Sequence, residues 1–108
     1  MNDAIQIVTT FPTRETAEAA ARELVERRLA ACAQVGGPIT SVYRWQGAIE
    51  SAEEFTLTLK TRRDLFDLAA AVIGTLHSYE VPEILAFDVV AGSEAYLRWI
   101  DESVTLPD

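Results

Sequence analysis

The segment His77-Ser78-Tyr79-Glu80-Val81-Pro82-Glu83 holds the side chains best suited to chemistry. It contains the only histidine of the chain, together with a tyrosine and two carboxylates. An imidazole with carboxylates nearby suits borderline divalent cations such as copper, zinc or nickel. The same histidine could instead act as a general base, or it could simply end a helix, whose C-terminus favours a cation. The residue types alone leave all three interpretations open.

Cys32, the only cysteine, is a second candidate metal ligand. It follows Leu29-Ala30-Ala31 at the junction of a predicted helix and a predicted strand, where a cysteine is usually a small buried apolar residue. A thiolate ligand or nucleophile would need a partner, and a lone cysteine distant in sequence from a lone histidine is a weak sign of a catalytic pair. We therefore expect burial and keep the thiolate ligand as the alternative.

Aromatic and basic side chains cluster at Tyr43-Arg44-Trp45-Gln46-Gly47, and Lys60 follows on the predicted returning strand. Aromatic faces with a cation can line a cleft for a planar or anionic ligand. Tyrosine, tryptophan and arginine are also enriched at protein interfaces. The composition favours the interface, and both interpretations hold if the cleft lies between subunits.

The motifs of the common enzyme classes are absent from the sequence. It has no glycine-rich phosphate loop, no Cys-x-x-Cys, no His-Glu-x-x-His and no nucleophile elbow. The acidic pairs Glu53-Glu54 and Asp101-Glu102 are interpreted as solvated charges in turns or on a terminal helix. We therefore expect no enzymatic activity.

Length and charge limit the class of protein and its partners. With 108 residues, of which 49% are hydrophobic, the chain is expected to form one domain over residues 1–108. Its net charge is -8, of which residues 51–108 carry -7, with eleven acids against four bases. Such a surface repels phosphate backbones and anionic lipids, so we expect neither nucleic acid nor membrane as a partner.

The start of the chain favours a cytoplasmic location. It begins Met1-Asn2-Asp3, without the basic and then apolar pattern of an export segment. A single cysteine allows no internal disulfide, and no apolar run approaches the roughly 20 residues that cross a bilayer. We expect a cytoplasmic protein.

The first half of the chain predicts a strand, a helix and the start of a hairpin. Residues 5–10 are apolar and β-branched, which indicates a strand. Thr13 is a predicted N-cap for a helix over residues 14–31, with early glutamates and late arginines that match the helix dipole. The β-branched and aromatic run 39–45 and the turn residues Gln46-Gly47 then predict a hairpin.

The second half predicts a returning strand, a helix, a strand and a last helix. Phe55, Leu57 and Leu59 alternate with polar residues, so one face of the returning strand meets the core. Residues 61–64 resemble a capping box before a helix whose apolar positions recur through Leu76. Because Pro82 disfavours helix at the residue before it, this helix ends near His77. Residues 84–90 predict a well-buried strand, and Gly92-Ser93 opens a short helix.

This order predicts an α+β fold, a ferredoxin-like double βαβ sandwich with an extended β-hairpin and a C-terminal helix. Both long helices would cover one face of an antiparallel sheet and leave the other open. Exposed aromatics such as Tyr43, Trp45 and Trp99 would then gain by burial against copies of the same chain. We expect a symmetric oligomer.

Four blocks of sequence resemble the CutA divalent-cation-tolerance family, and the resemblance covers almost the whole chain. The blocks are residues 21–32, 39–47, 59–61 and 77–84. The resemblance implies a ferredoxin-like homotrimer associated with tolerance to copper and other divalent cations, without an established enzymatic activity. In that family the histidine matching His77 is implicated in copper binding. Some members have a cysteine where this chain has Thr9, and most have a proline where it has Ser78.

We therefore predict a homotrimer that binds copper or another divalent cation weakly. His77 is the expected main ligand, and Glu83, Glu80 and Cys32 are further candidates. The alternative is a PII-like trimeric signalling or scaffold protein that holds a small anion or a partner peptide in inter-subunit clefts near Trp45, Lys60 and Tyr79. A less favoured interpretation is a hydrolase or isomerase that uses His77 and Glu83 as base and acid.

Overall fold

The computed structural model describes residues 2–107 and contains four strands and three α-helices in that range. In chain order the elements are β1 (Ala4–Phe11), α1 (Arg14–Glu26), β2 (Cys32–Trp45), β3 (Ala48–Arg62), a short 3-10 helix (Arg63–Leu65), α2 (Phe66–Leu76), β4 (Ile84–Asp88) and α3 (Glu94–Ser103). The strands form one antiparallel sheet in the order β2-β3-β1-β4. The predicted α+β, ferredoxin-like arrangement is confirmed.

The core lies between one face of the sheet and the helices α1 and α2. Alternate side chains of β1 and β3 point to this face, since side chains of a strand alternate between its two sides. The residues that these four elements contribute to the core cluster are Ile5, Ile7, Phe11, Ala17, Ala20, Leu24, Leu57, Leu59, Ala69 and Ile73. The predicted inward alternation of Leu57 and Leu59 is therefore confirmed.

The last strand differs from its prediction. The sequence predicted a well-buried strand over residues 84–90, whereas β4 ends at Asp88 and exposes half of the side chains of Leu85 (50%) and Phe87 (52%). Within residues 2–107, β4 pairs with β1 alone, so it is an edge strand. Leu85 lies opposite Val8 in the register, on the face away from α1 and α2. This sheet face is largely open in one protomer.

Helix α1 ends earlier than the sequence predicted. Thr13 caps it as expected, because its Oγ1 accepts a hydrogen bond from the Thr16 N–H at 3.1 Å. The helix stops at Glu26, not at residue 31, and Arg28 adopts a left-handed conformation with φ 59°. The backbone N–H of Leu29 then donates to the carbonyl of Leu24, which is typical of a helix C-cap. The early end lets the chain turn into β2.

The predicted capping box at residues 61–64 is wrong. Thr61 belongs to β3, and its buried hydroxyl donates to the carbonyl of Leu29 at 2.7 Å. A short 3-10 helix, without a side-chain cap, leads into α2. Thr61 thus joins β3 to the segment after α1 and does not start α2. As predicted, Ser93 opens α3: it is the N-cap, and its Oγ accepts a hydrogen bond from the Tyr96 N–H at 3.3 Å.

The β2–β3 hairpin is longer than predicted. Strand β2 begins at Cys32 and continues through the glycines at residues 36 and 37. These glycines do not end the strand; they shift its register with β3 between Gly36 and Ile39. The predicted turn is confirmed at Gln46 and Gly47, which have φ values of 49° and 82°. Positive φ at both central residues suits the right-handed twist of a hairpin.

None of the helices in residues 2–107 is long and apolar enough to cross a membrane.

Candidate functional site

His77 follows directly on α2, as the proline at residue 82 predicted. Its backbone is extended, with φ -90° and ψ 144°, and so turns the chain away from the helix. The imidazole stacks on the ring of Phe11 at the end of β1, with 4.2 Å between centroids and 15° between planes. The Tyr79 ring lies 4.8 Å away on a tilt of 40°. Two aromatic rings therefore fix the orientation of the imidazole.

The two imidazole nitrogens have different polar neighbours. Nε2 lies 3.5 Å from the hydroxyl oxygen of Thr9, and Nδ1 lies 3.5 Å from the backbone N–H of Tyr79. Both distances are at the outer limit of a hydrogen bond. Since Nδ1 faces a donor, the neutral ring carries its proton on Nε2, and a cation at Nε2 would have to displace that proton. The position at which the family resemblance implies an additional cysteine, Thr9, is thus in direct contact with the imidazole.

Glu54 is the carboxylate of this site, and sequence reasoning missed it. It was interpreted as a solvated charge in a turn, which is wrong: it lies within β3 and is only 9% exposed. The Tyr79 hydroxyl donates to its Oε2 at 2.8 Å. The alternation of Phe55 and Leu57 does place Glu54 on the face opposite the core. Its partner Tyr79 lies on the segment after α2, 25 residues away, and no local pattern indicates that contact.

Burial and hydrogen bonding shift the pKa values of this group in opposite directions. Burial lowers the pKa of His77 below its usual value, although the Thr10 backbone and the Glu54 charge partly offset it. Burial alone would raise the pKa of Glu54, but hydrogen bonds from Ser41, Tyr79 and Thr10 and the charge of His77 lower it overall. Burial and the bond to Glu54 raise the pKa of Tyr79. At neutral pH the site therefore holds a neutral imidazole, a phenol and a carboxylate.

The other predicted ligands do not form a group of three with the imidazole within residues 2–107. Glu80 and Glu83 are exposed on the loop between α2 and β4. Cys32 is half-buried at the start of β2, where burial and contact with its thiol raise the pKa of the Tyr96 hydroxyl. The register places Cys32 opposite Lys60, on the sheet face away from α1 and α2, whereas His77 contacts Thr9 and Phe11 on the helix-covered face. One protomer does not bring Cys32 and His77 together.

A single protomer does not provide a complete set of metal ligands. Among residues 2–107, no three side chains of histidine, cysteine, aspartate or glutamate are grouped closely enough to hold a metal ion. The imidazole is flanked by a hydroxyl and two rings, and Glu54 is already bonded to Tyr79. These residues alone fit a tightly held resident metal poorly. The predicted ligand set remains a prediction that requires groups from outside the protomer.

A concave surface lies beside this cluster, between the β2–β3 hairpin and the loop after α2. We call it the hairpin groove; it has a volume of about 820 Å³. Its aromatic residues are Tyr43, Trp45 and Tyr79, and its acidic residues are Glu50, Glu54, Glu80 and Glu83. Lys60 is not among the lining residues, and its Nζ donates to the Gln34 side chain at 2.8 Å. Its predicted place in a cleft between subunits stays a prediction.

The lowered pKa of His77 predicts a pH-dependent stability. Because the unfolded chain binds a proton at this residue more readily than the folded chain, the free energy of unfolding should fall as pH drops through about 6.5, the pKa of a free histidine. Glu54 adds to the loss only below its unfolded value of 4.5, where the unfolded chain takes up a proton first. We expect denaturation at pH 5.5 to need less guanidinium chloride than at pH 7.5.

The His77→Gln variant is the control for this pH dependence. It removes the only histidine, so its midpoint should change less than that of the wild type between pH 7.5 and 5.5. Both proteins should be measured with EDTA and at one protomer concentration, since metals and association also alter stability. Equal changes in the two proteins would show that His77 does not carry the effect.

Comparison with known proteins places the chain in one family. Residues 5–103 match the family described as CutA1 divalent ion tolerance protein. The divalent-cation tolerance protein CutA of Thermus thermophilus is 39% identical over 97 residues, which cover 90% of this chain and 94% of that protein. Protein CutA, chloroplastic, of Arabidopsis thaliana is 36% identical over 93% of this chain, which spans only 55% of the plant protein.

The fold agrees with the sequence match. The structure of the periplasmic divalent cation tolerance protein CutA from Archaeoglobus fulgidus superimposes with a TM-score of 0.91 and 39% identity, over 94% of this chain and 99% of that one. The family is described by ion tolerance and not by an enzymatic reaction. Sequence and fold agree over nearly the whole chain, and the protein therefore belongs to the CutA1 divalent ion tolerance family.

Proposed function

We propose that this protein is a cytoplasmic homotrimer that binds a copper-type divalent cation through His77. The observation that carries the proposal is the imidazole itself. It is half-buried, its orientation is fixed by Phe11 and Tyr79, and its Nε2 faces the Thr9 hydroxyl. A neutral, oriented imidazole is a good ligand for copper and zinc.

A trimer would supply the ligands that one protomer lacks. Glu80 and Glu83 are exposed on the loop after α2, where a neighbouring protomer can bring them or their equivalents to a shared site. The thiol of Cys32 lies on the opposite sheet face from His77, so it can act as a ligand only across such an interface. The half-exposed Leu85 and Phe87 of β4 also favour association. A site shared in this way would be weak and exchangeable.

Calorimetric titration with Cu(II) tests the role of His77. Replacing His77 by alanine should weaken binding by at least about tenfold, because even outer-shell partners of metal sites are typically worth about 10–100-fold in affinity. Replacing Thr9 by cysteine should strengthen binding, since it adds a thiolate beside Nε2. Equal affinity in the wild type and His77→Ala would exclude His77 as the main ligand.

Two further measurements separate the parts of the proposal. Glu83→Gln and Glu80→Gln should weaken Cu(II) binding modestly, whereas Glu23→Gln on the exposed side of α1 makes the same charge change and should have no effect. Sedimentation equilibrium measures the oligomeric state independently of metal. A monomer at micromolar concentration would contradict the trimer, whatever the copper titration gives.

The hairpin groove favours a second candidate function, a PII-like signalling or scaffold trimer. Trp45 and Tyr79, which the sequence associated with a ligand cleft, do line one groove. Lys60 does not, so the basis for a small anion is weaker than predicted. A melting temperature that rises with a metabolite but not with copper, in metal-free protein, would favour this function over the first.

A further inference from the structure

We propose that Tyr79 is a positioning residue for His77 and that Glu54 acts on the imidazole through it. The two residues hold the imidazole in the tautomer that carries its proton on Nε2. A cation binds at Nε2 only in the other tautomer, so the segment after α2 must shift before His77 becomes a ligand. This inference rests on the proposed function and adds a structural control of the same histidine.

Glu54 is a fixed anchor for the segment after α2. It lies within β3, pairs in register with Ile39 of β2 and is only 9% exposed. Ser41 and Thr10 hydrogen-bond to its side chain, and the Tyr79 hydroxyl donates to Oε2 at 2.8 Å. That distance is normal for a bond between two oxygen atoms. The sheet therefore gives the Tyr79 hydroxyl an acceptor whose position is set independently of the segment after α2.

Tyr79 contacts the imidazole with both its ring and its backbone. The two ring centroids are 4.8 Å apart, and the Tyr79 N–H lies 3.5 Å from Nδ1 of His77. Residues 77–83 belong to neither a helix nor a strand. Because no ladder of backbone hydrogen bonds holds this segment, its course depends on side-chain contacts such as the one from Tyr79 to Glu54. That contact therefore fixes where the Tyr79 N–H lies relative to Nδ1.

The position of this N–H selects the tautomer of His77. A neutral imidazole has one N–H donor and one acceptor nitrogen. Nδ1 faces the backbone N–H of Tyr79, so it presents its lone pair, and Nε2 directs its proton toward the Thr9 hydroxyl oxygen. A cation takes the lone pair of Nε2 and leaves the proton on Nδ1. That proton would oppose the Tyr79 N–H, since both groups are donors. Cation binding at Nε2 therefore requires the Tyr79 backbone to move.

Nitrogen-15 NMR of the metal-free protein measures this tautomer directly. The chain has one histidine, so labelling histidine selectively gives the signals of one imidazole. At pH 7.5 the wild type should show a protonated Nε2 and an unprotonated Nδ1, with well-separated resonances. Tyr79→Phe removes the hydroxyl but keeps the ring, the backbone N–H and the net charge. The two resonances should then move toward each other, because the imidazole exchanges between its tautomers.

Glu54 and its neighbour on the strand provide the second variant and the matched control. Glu54→Gln should shift the two ring resonances in the same direction as Tyr79→Phe. The double variant should shift them no further than the larger single change, because both substitutions break one contact. Glu53→Gln makes the same charge change on an exposed residue whose side chain points to the other side of β3. It should leave both resonances unaltered.

Calorimetric titration with Cu(II) tests the consequence for metal binding. Tyr79→Phe makes the tautomer with a free Nε2 accessible, so it should bind Cu(II) about two- to tenfold more tightly than the wild type. This is the worth of one neutral hydrogen bond. An outer-shell residue that only supports a ligand has the opposite effect, a loss of about 10–100-fold when it is replaced. The direction of the change thus separates control of the tautomer from simple support of the site.

Three outcomes would overturn the inference: a proton on Nδ1 in the wild type, ring resonances that Tyr79→Phe leaves unchanged, or weaker Cu(II) binding by that variant. The NMR measurement contains no metal, so it decides the positioning role even if copper does not bind. Equal Cu(II) affinity in the wild type and His77→Ala would contradict the proposed function and leave the tautomer result standing. The two proposals can therefore fail separately.

Discussion

Replacing Leu59 by alanine is expected to lower the free energy of unfolding by about 2–5 kcal/mol, the usual cost of such a truncation in a core. Leu59 is fully buried on β3, between Ile7 of β1 and Ala33 of β2 in the register. Its side chain points to the face covered by α1 and α2. The neighbouring strands hold the surrounding side chains in place, so these side chains can close little of the cavity that alanine would leave. The loss combines reduced apolar burial with the cavity that remains.

Guanidinium chloride denaturation, followed by circular dichroism at one protomer concentration, measures this effect. The matched control is Leu106→Ala, which removes the same atoms from a side chain that is 48% exposed. Surface substitutions usually change stability by about 0.5 kcal/mol or less. If both variants shifted the midpoint equally, the assignment of Leu59 to the core would be wrong.

Local periodicity was enough to predict the elements but not the depth at which each lies. In α2 the apolar spacing correctly indicated a helix, and Ala69 and Ile73 are buried. Leu68 and Leu76 belong to the same predicted apolar face, yet both are more than 40% exposed. Spacing identifies an apolar stripe, whereas the width that becomes buried depends on the partner surface.

The errors at α1 and β4 have a common cause in long-range contacts. Residues 27–31 have good helix propensity, but the backbone of Ala31 donates to Lys60 and so joins the sheet. The apolar composition of residues 84–90 predicted a well-buried strand, but the position of β4 in the sheet order makes it an edge strand. Neither the sheet order nor the pairing partner is encoded in the segment itself. Propensity gives way to tertiary contacts at both places.

The candidate site was predicted in part. The proline at residue 82 correctly predicted that α2 ends beside His77, because that constraint is local. The neighbours of the imidazole were not predicted, since Thr9 and Phe11 come from β1 and are 66 or more residues away in sequence. Glu54 was missed for the same reason, since its partner Tyr79 is 25 residues away in sequence. What a sequence indicates about a site is its residue types, and the fold decides which of them meet.

Replacing Gly37 by alanine is the second substitution with a large expected effect, a loss of about 1–3 kcal/mol in the free energy of unfolding. Gly37 lies at the register shift between β2 and β3, and its φ is 121°. Residues that carry a side chain rarely adopt this backbone conformation. An added Cβ would lie 3.0 Å from the Glu54 carbonyl oxygen and 3.2 Å from the Phe55 ring. The strain would be relieved only if β2 and β3 moved apart beside Glu54.

Gly74→Ala is the matched control for this substitution, because it adds the same methyl group where nothing restricts it. Gly74 lies within α2, and no heavy atom would come within 4 Å of the new Cβ. Alanine favours a helix interior over glycine by about 0.5–1 kcal/mol, so this variant should unfold at a higher guanidinium chloride concentration than the wild type. Opposite shifts of the unfolding midpoint in the two variants would show that the cost arises from the backbone conformation at Gly37. If Gly37→Ala left the midpoint unchanged, the hairpin would be able to relax at this position. The position of Glu54 in the groove would then not depend on the register shift.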